Sequence, residues 1–145
     1  MPEVSFYVLP TANEMTRVAL LLKLVEKAYE AEEPTFLHFN DKALMERIDR
    51  LIWDIDEAGF LPHAIIESAE DINDFDFVYL SDRDWELPRR SLLINLHHDV
   101  PESAKEGKFP RIFEIITQDP EVLHASRDHY RIYRDLGFKI QTHKL

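Results

Sequence analysis

Short apolar, β-rich runs alternate with long stretches of helical periodicity from the start of the chain, and this alternation limits the fold more than any other feature. Residues 4–9 read as a buried strand, ended by Pro10. Thr11 and Glu14 have the spacing of a capping box, opening a helix to about Glu32 with Met15, Val18, Leu22, Val25 and Tyr29 as its inner stripe. Pro34 stops that helix, and residues 35–39 form a second strand. Asn40 or Asp41 then caps a helix running through Trp53, with Leu44, Ile48, Leu51 and Ile52 turned inward. Strand, helix, strand, helix is the order of parallel crossover units, because a parallel neighbour is reached only by a long connection over the sheet.

The remaining chain extends the pattern. Residues 64–66, 75–80 and 92–96 read as further strands, and the longer two are dense in apolar residues, as in a sheet covered on both faces. Residues 67–74, 81–90 and 99–108 read as polar loops, 110–118 as a short helix, and 138–142 as a last edge strand. The expectation is a single α/β domain over residues 1–145, a mostly parallel sheet flanked by helices. A chain of 145 residues is long enough for one real hydrophobic core. No apolar run is long enough to cross a bilayer, and MPEVSFYVLP has no basic region followed by an apolar core, so no secretory signal is expected. The chain has no cysteine. That excludes disulfides and thiolate metal sites and agrees with a reducing, cytoplasmic setting.

One segment has a complete helix grammar and an unusual charge. In DPEVLHASRDHYRIYRDLGF, residues 119–138, Asp119 suits the cap and Pro120 the first helical position. Gly137 stands where a left-handed residue closes the last turn, with Phe138 behind it. At roughly 100° per residue, Val122, Ala125, Ile132, Tyr133 and Leu136 share the inner face. Arg127, Tyr130, Arg131 and Arg134 share the outer one, with Asp128 and Asp135 along a flank off the basic stripe. A solvated charged face is the plain alternative. The charge context favours a binding site. Residues 111–145 hold six of the 17 Lys/Arg and only five of the 28 Asp/Glu, in a chain of net charge -11. A cationic stripe on an acidic protein suits an acidic ligand, whereas duplex DNA would need a wider cationic footprint.

Chemistry of other kinds finds little support. A phosphate cradle needs glycines where backbone approaches the ligand, yet the chain has three, Gly59, Gly107 and Gly137, and VLPTANE follows the first strand. Neither a Walker loop nor a dinucleotide fingerprint is present, so a nucleotide-using enzyme stays an alternative only on fold class. His97, His98 and Asp99 are the best metal or acid–base candidates, but neighbours on a strand point to opposite faces. His38 and His63 read as hydrogen-bonded partners near the core. No nucleophile elbow or His-Glu-x-x-His pair occurs, so no catalytic residue, metal or cofactor is expected. A direct single-stranded nucleic-acid binder is the second alternative. It would need aromatic platforms along a basic groove rather than a patch.

SRDHYRIYRDLGF with the terminal THKL, the opening SFYVLP, LIWDIDEAGFLPHA and RRSLLINL together resemble the chi subunit family of bacterial DNA polymerase III. The likeness covers essentially the whole chain in family order, and Tyr-Arg-x-Tyr-Arg-x-x-Gly-Phe is its most specific block. It implies a Rossmann-like fold without a nucleotide site, and a clamp-loader accessory protein without catalysis of its own. It further implies two partners: the psi subunit, and the acidic C-terminal tail of single-stranded-DNA-binding protein, with only indirect contact to single-stranded DNA. Carried over by position, the tail site would comprise Trp53, Arg127, Tyr130, Arg131 and Arg134, and Phe60 would contact psi. Arg131 stands where a lysine can occur in the family, which keeps charge but changes hydrogen-bond geometry. The segment between Glu114 and Arg127 is shorter than in some relatives, and no site residue is carried from it.

Overall fold

The computed structural model describes residues 1–55, 61–73, 76–85, 87 and 91–145. Within them the strands are β1 (Glu3–Val8), β2 (Thr35–Phe39), β3 (His63–Ile65), β4 (Val78–Ser81), β5 (Leu92–Leu96), β6 (Arg111–Ile116) and β7 (Lys139–Lys144). The helices are α1 (Glu14–Glu30), α2 (Lys42–Ile52), α3 (Glu102–Lys105) and α4 (Pro120–Asp135), with a 3-10 turn at Ala69–Asp71. The seven strands make one sheet in the order β3-β4-β2-β5-β6-β1-β7. Every pairing among them is parallel, so the expected architecture holds and is more uniform than "mostly parallel" implied.

Side chains alternate across the sheet and build two cores. Leu37, Phe39, Phe113 and Ile115 face α1 and α2, where Val18, Leu21, Val25, Ile48 and Ile52 are buried. Phe36, Ile112 and Ile116 face the other way, with Ala104 of α3 and Tyr133 of α4. Both faces are therefore covered at the centre, which is why β2, β4 and β5 are buried at every position and read as unbroken apolar runs.

Four local expectations change. Residues 110–118 hold β6, not a helix: β6 lies between β1 and β5, and five of its six residues are buried. RIFEII carries apolar side chains on both sides, which a central strand can bury and a helix on one sheet face cannot; periodicity alone does not separate the two for so short a run. The expected loop 99–108 contains α3 as the crossover into β6. The cap of α1 is Asn13, whose side chain accepts the Met15 amide at 2.9 Å; Thr11 bonds Thr16 instead. Met15 itself is 48% exposed, against the Arg47 guanidinium rather than in the core.

The ends of α4 follow the sequence closely. The Asp119 carboxylate accepts the Glu121 and Val122 amides at 3.1 and 3.3 Å. Gly137 has φ +78 with open space around it, the Phe138 amide donates to the Tyr133 carbonyl, and the Phe138 ring stacks on that of Tyr133. Because no neighbour would obstruct a methyl group there, Gly137→Ala isolates the cost of left-handed backbone. Urea denaturation should read a loss of about 1 kcal/mol; unchanged stability would contradict the assigned turn.

Candidate functional site

A buried carboxylate sets the orientation of α4. Glu114 of β6 is 4% exposed. Its Oε1 lies 2.9 Å from His129 Nδ1, and its Oε2 accepts the Tyr133 hydroxyl at 2.6 Å and Asn95 Nδ2 at 3.0 Å. His129 Nε2 lies 2.8 Å from the His98 carbonyl. Both partners of the imidazole are acceptors, so both ring nitrogens donate and the ring is cationic. Burial pushes the His129 pKa down, but the Glu114 charge and hydrogen bond, with help from the His98 carbonyl and Asp99, outweigh it and leave the value raised. Burial, then the Glu114 charge, drives the Tyr133 pKa well above its ordinary value, keeping the phenol a neutral donor.

His129 and Tyr133 are the buried residues of α4. The helical inner face expected from sequence included Tyr133 but left out His129, and it placed Leu136 inward although Leu136 is 41% exposed at the helix end. His129 follows Ala125 by four positions and precedes Tyr133 by four, so its phase marks it as inward; its polarity hid it.

With the inner face anchored, Arg127, Tyr130, Arg131 and Arg134 all face solvent, as a single stripe at i, i+3, i+4 and i+7 must. Tyr130 is 44% exposed, and its ring leans on Phe6 of β1 with centroids 5.8 Å apart. Arg127 makes no ion pair among the described residues. The two aspartates are not held apart from the stripe as expected: Asp128 Oδ1 lies 3.2 Å from Arg131 Nη1, and Asp135 Oδ1 lies 3.3 Å from Arg134 Nη2. These pairs are exposed on both sides, and such pairs contribute little and exchange readily.

Trp53 is not brought to this stripe. It caps the C-terminal end of α2, is 52% exposed, and sets its ring against His63 of β3, centroids 4.6 Å apart. β3 is one edge of the sheet, whereas α4 packs on β6 and β7 at the other side and on the opposite face. Phe60 lies outside the described residues.

A crevice of about 230 Å³ opens at the carboxyl ends of the strands, where ligands of open parallel sheets bind. Its lining mixes the acidic residues Glu14, Asp41, Glu114, Asp119 and Glu121 with Arg17, His97, His98 and His129, which makes no concentrated cationic seat for phosphate. His38 and His63 are buried and bonded as expected, His38 to Asn95 and His63 to the Leu61 and Asp49 carbonyls. His97 and His98 depart from expectation. β5 ends at Leu96, the chain bends, and the two rings lie 4.5 Å apart instead of on opposite faces.

The chain as a whole has known relatives. Residues 1–141 match the family model described as DNA polymerase III chi subunit, HolC. The DNA polymerase III subunit chi of Pseudomonas aeruginosa is 32% identical over 145 residues, covering 100% of this chain and 98% of that protein. The DNA polymerase III subunit chi of Haemophilus influenzae is 24% identical over 138 residues, covering 94% of this chain and 93% of that protein.

The Glu114–His129 pair makes stability depend on pH in a stated direction. A raised folded pKa gives His129 a contribution that is complete below its unfolded value near 6.5 and fades as pH climbs through the folded value. His129→Ala should cost about 3 kcal/mol in urea denaturation at about pH 6, and the gap from the parent should shrink as pH rises above the unfolded value. A gap independent of pH would contradict a charged His129.

Proposed function

Because the chain belongs to the DNA polymerase III chi subunit family, and so serves DNA replication as an accessory protein of that holoenzyme, we propose that it joins the clamp loader, through psi, to the acidic C-terminal tail of single-stranded-DNA-binding protein. Its part is binding rather than catalysis. The observation that carries the tail reading is Arg127: an exposed guanidinium with no ion pair among the described residues, one turn from the half-exposed ring of Tyr130.

The physics of such a site is simple. A peptide end with several carboxylates is drawn to the stripe by charge, although the acidic remainder of the chain opposes it at long range. Its terminal carboxylate meets Arg127 and Arg131, with Arg134 one turn on, and its aromatic end packs on Tyr130 over Phe6. Arg131 and Arg134 exchange exposed intramolecular carboxylates for the ligand's, so they gain less than Arg127. Each well-made charged hydrogen bond supplies about 1–3 kcal/mol. A few of them and one aromatic anchor, less the ordering of a flexible tail, give micromolar affinity, roughly -8 kcal/mol. Weak single contacts suit a coating protein that offers several tails at once.

Trp53, on the other face and far edge of the sheet, stands outside this stripe, so one short tail end anchored on Tyr130 does not also rest on it. Phe60 remains the residue proposed to contact psi.

Calorimetric titration with an acidic peptide ending in phenylalanine tests the reading. Arg127→Ala should weaken binding about tenfold, and Arg131→Ala less, with circular dichroism unchanged because both side chains are exposed. Unchanged affinity in both variants would remove the site. Equal binding of a naked single-stranded oligonucleotide and the peptide would favour direct nucleic-acid contact instead.

A further inference from the structure

The bend after β5 carries a feature that the peptide reading does not use. We propose that His97, His98 and Asp99 form a binding site for a divalent transition-metal ion of the zinc or nickel class. One ligand atom from each of the three lies within 4.8 Å of the others. Consecutive residues on a strand could not converge in this way. They do so here because the strand ends at Leu96 and the backbone turns.

The turn is fixed before any ion arrives. Asn95 Oδ1 accepts the His97 amide at 3.3 Å, and Asn40 Oδ1 accepts the His98 amide at 2.9 Å. His129 Nε2 donates to the His98 carbonyl at 2.8 Å, and Asn95 Nδ2 donates to the Asp99 carbonyl at 3.2 Å. The His97 ring is stacked on His38, with centroids 4.5 Å apart and planes 10° from parallel. Backbone and first ring are thus held, while His98 and Asp99 keep exposed side chains, 63% and 72% accessible. Ligand atoms around a four-coordinate ion stand roughly 3.3 Å apart, given metal–ligand bonds near 2.0–2.1 Å. Rotation of His98 and Asp99, with the Asp99 amide released from His97 Nδ1, closes that difference.

The donors also choose the metal. The His97 Nδ1 lone pair already points into the turn, accepting the Asp99 amide at 2.9 Å; an ion takes that lone pair and the amide turns to water. Two imidazoles and one carboxylate favour zinc, nickel or copper over magnesium or calcium, which prefer oxygen alone. His97 and His98 line the crevice at the strand ends, so the remaining coordination positions are open to water.

Zinc chloride titrated into the untagged, chelator-treated full chain should reveal one ion per chain with micromolar affinity. Cobalt(II) in its place should give ligand-field absorption bands. His98→Ala should weaken binding at least tenfold with an unchanged circular dichroism spectrum, and His124→Ala and His143→Ala, two histidines exposed elsewhere, should titrate like the parent. Absence of saturable one-to-one binding, a His98→Ala variant that binds like the parent, or loss that follows His124→Ala instead would overturn the site.

Discussion

The carboxylate of Glu114 ties together the parts of the molecule that matter for binding. Buried in the middle of β6, it joins a strand neighbour through Asn95 and the last helix through His129 and Tyr133. A lone buried carboxylate would be costly. Here a cationic imidazole and two further donors satisfy it, which is the condition under which a buried charge is tolerated. The arrangement specifies more than it stabilises. It fixes one rotational setting of α4 against the sheet, and with 3.6 residues per turn that setting decides which side chains meet water. Arg127, Tyr130, Arg131 and Arg134 are outside because His129 and Tyr133 are inside.

The resulting surface differs in sign from the chain around it. The acidic excess sits before residue 111, and the crevice at the strand ends mixes acidic residues with Arg17 and three histidines. The few glycines give the backbone little with which to cradle a phosphate at the strand ends. The cationic chemistry lies on the outer side of α4, where two arginines hold loose local partners and a third holds none among the described residues. Family membership supplies the replicative setting. The stripe supplies a physical reason for an anionic peptide to stop there.

Much of this was legible from sequence because it rests on local rules. Asp119, Pro120 and Gly137 mark the ends of α4 through capping chemistry, and the outer stripe follows from helical period alone. What was not legible depends on who packs where. RIFEII is apolar on both sides, and only its place between β1 and β5 makes it a strand rather than a helix. His129 has the right phase for burial, but nothing local announces the carboxylate on another element that makes burial affordable. Trp53 matches a block by position, yet the crossover order puts α2 and α4 on opposite faces. His97 and His98 look divergent until the strand is seen to end one residue before them.

The most direct measurement is residue-resolved: backbone and indole amide shifts recorded by NMR while an acidic, phenylalanine-terminated peptide is added. The account predicts that the largest changes fall on residues 127–134 and on Phe6 beneath Tyr130, with the Trp53 indole and His63 unmoved. Changes gathered at Trp53 or in the crevice, with the outer side of α4 silent, would contradict it.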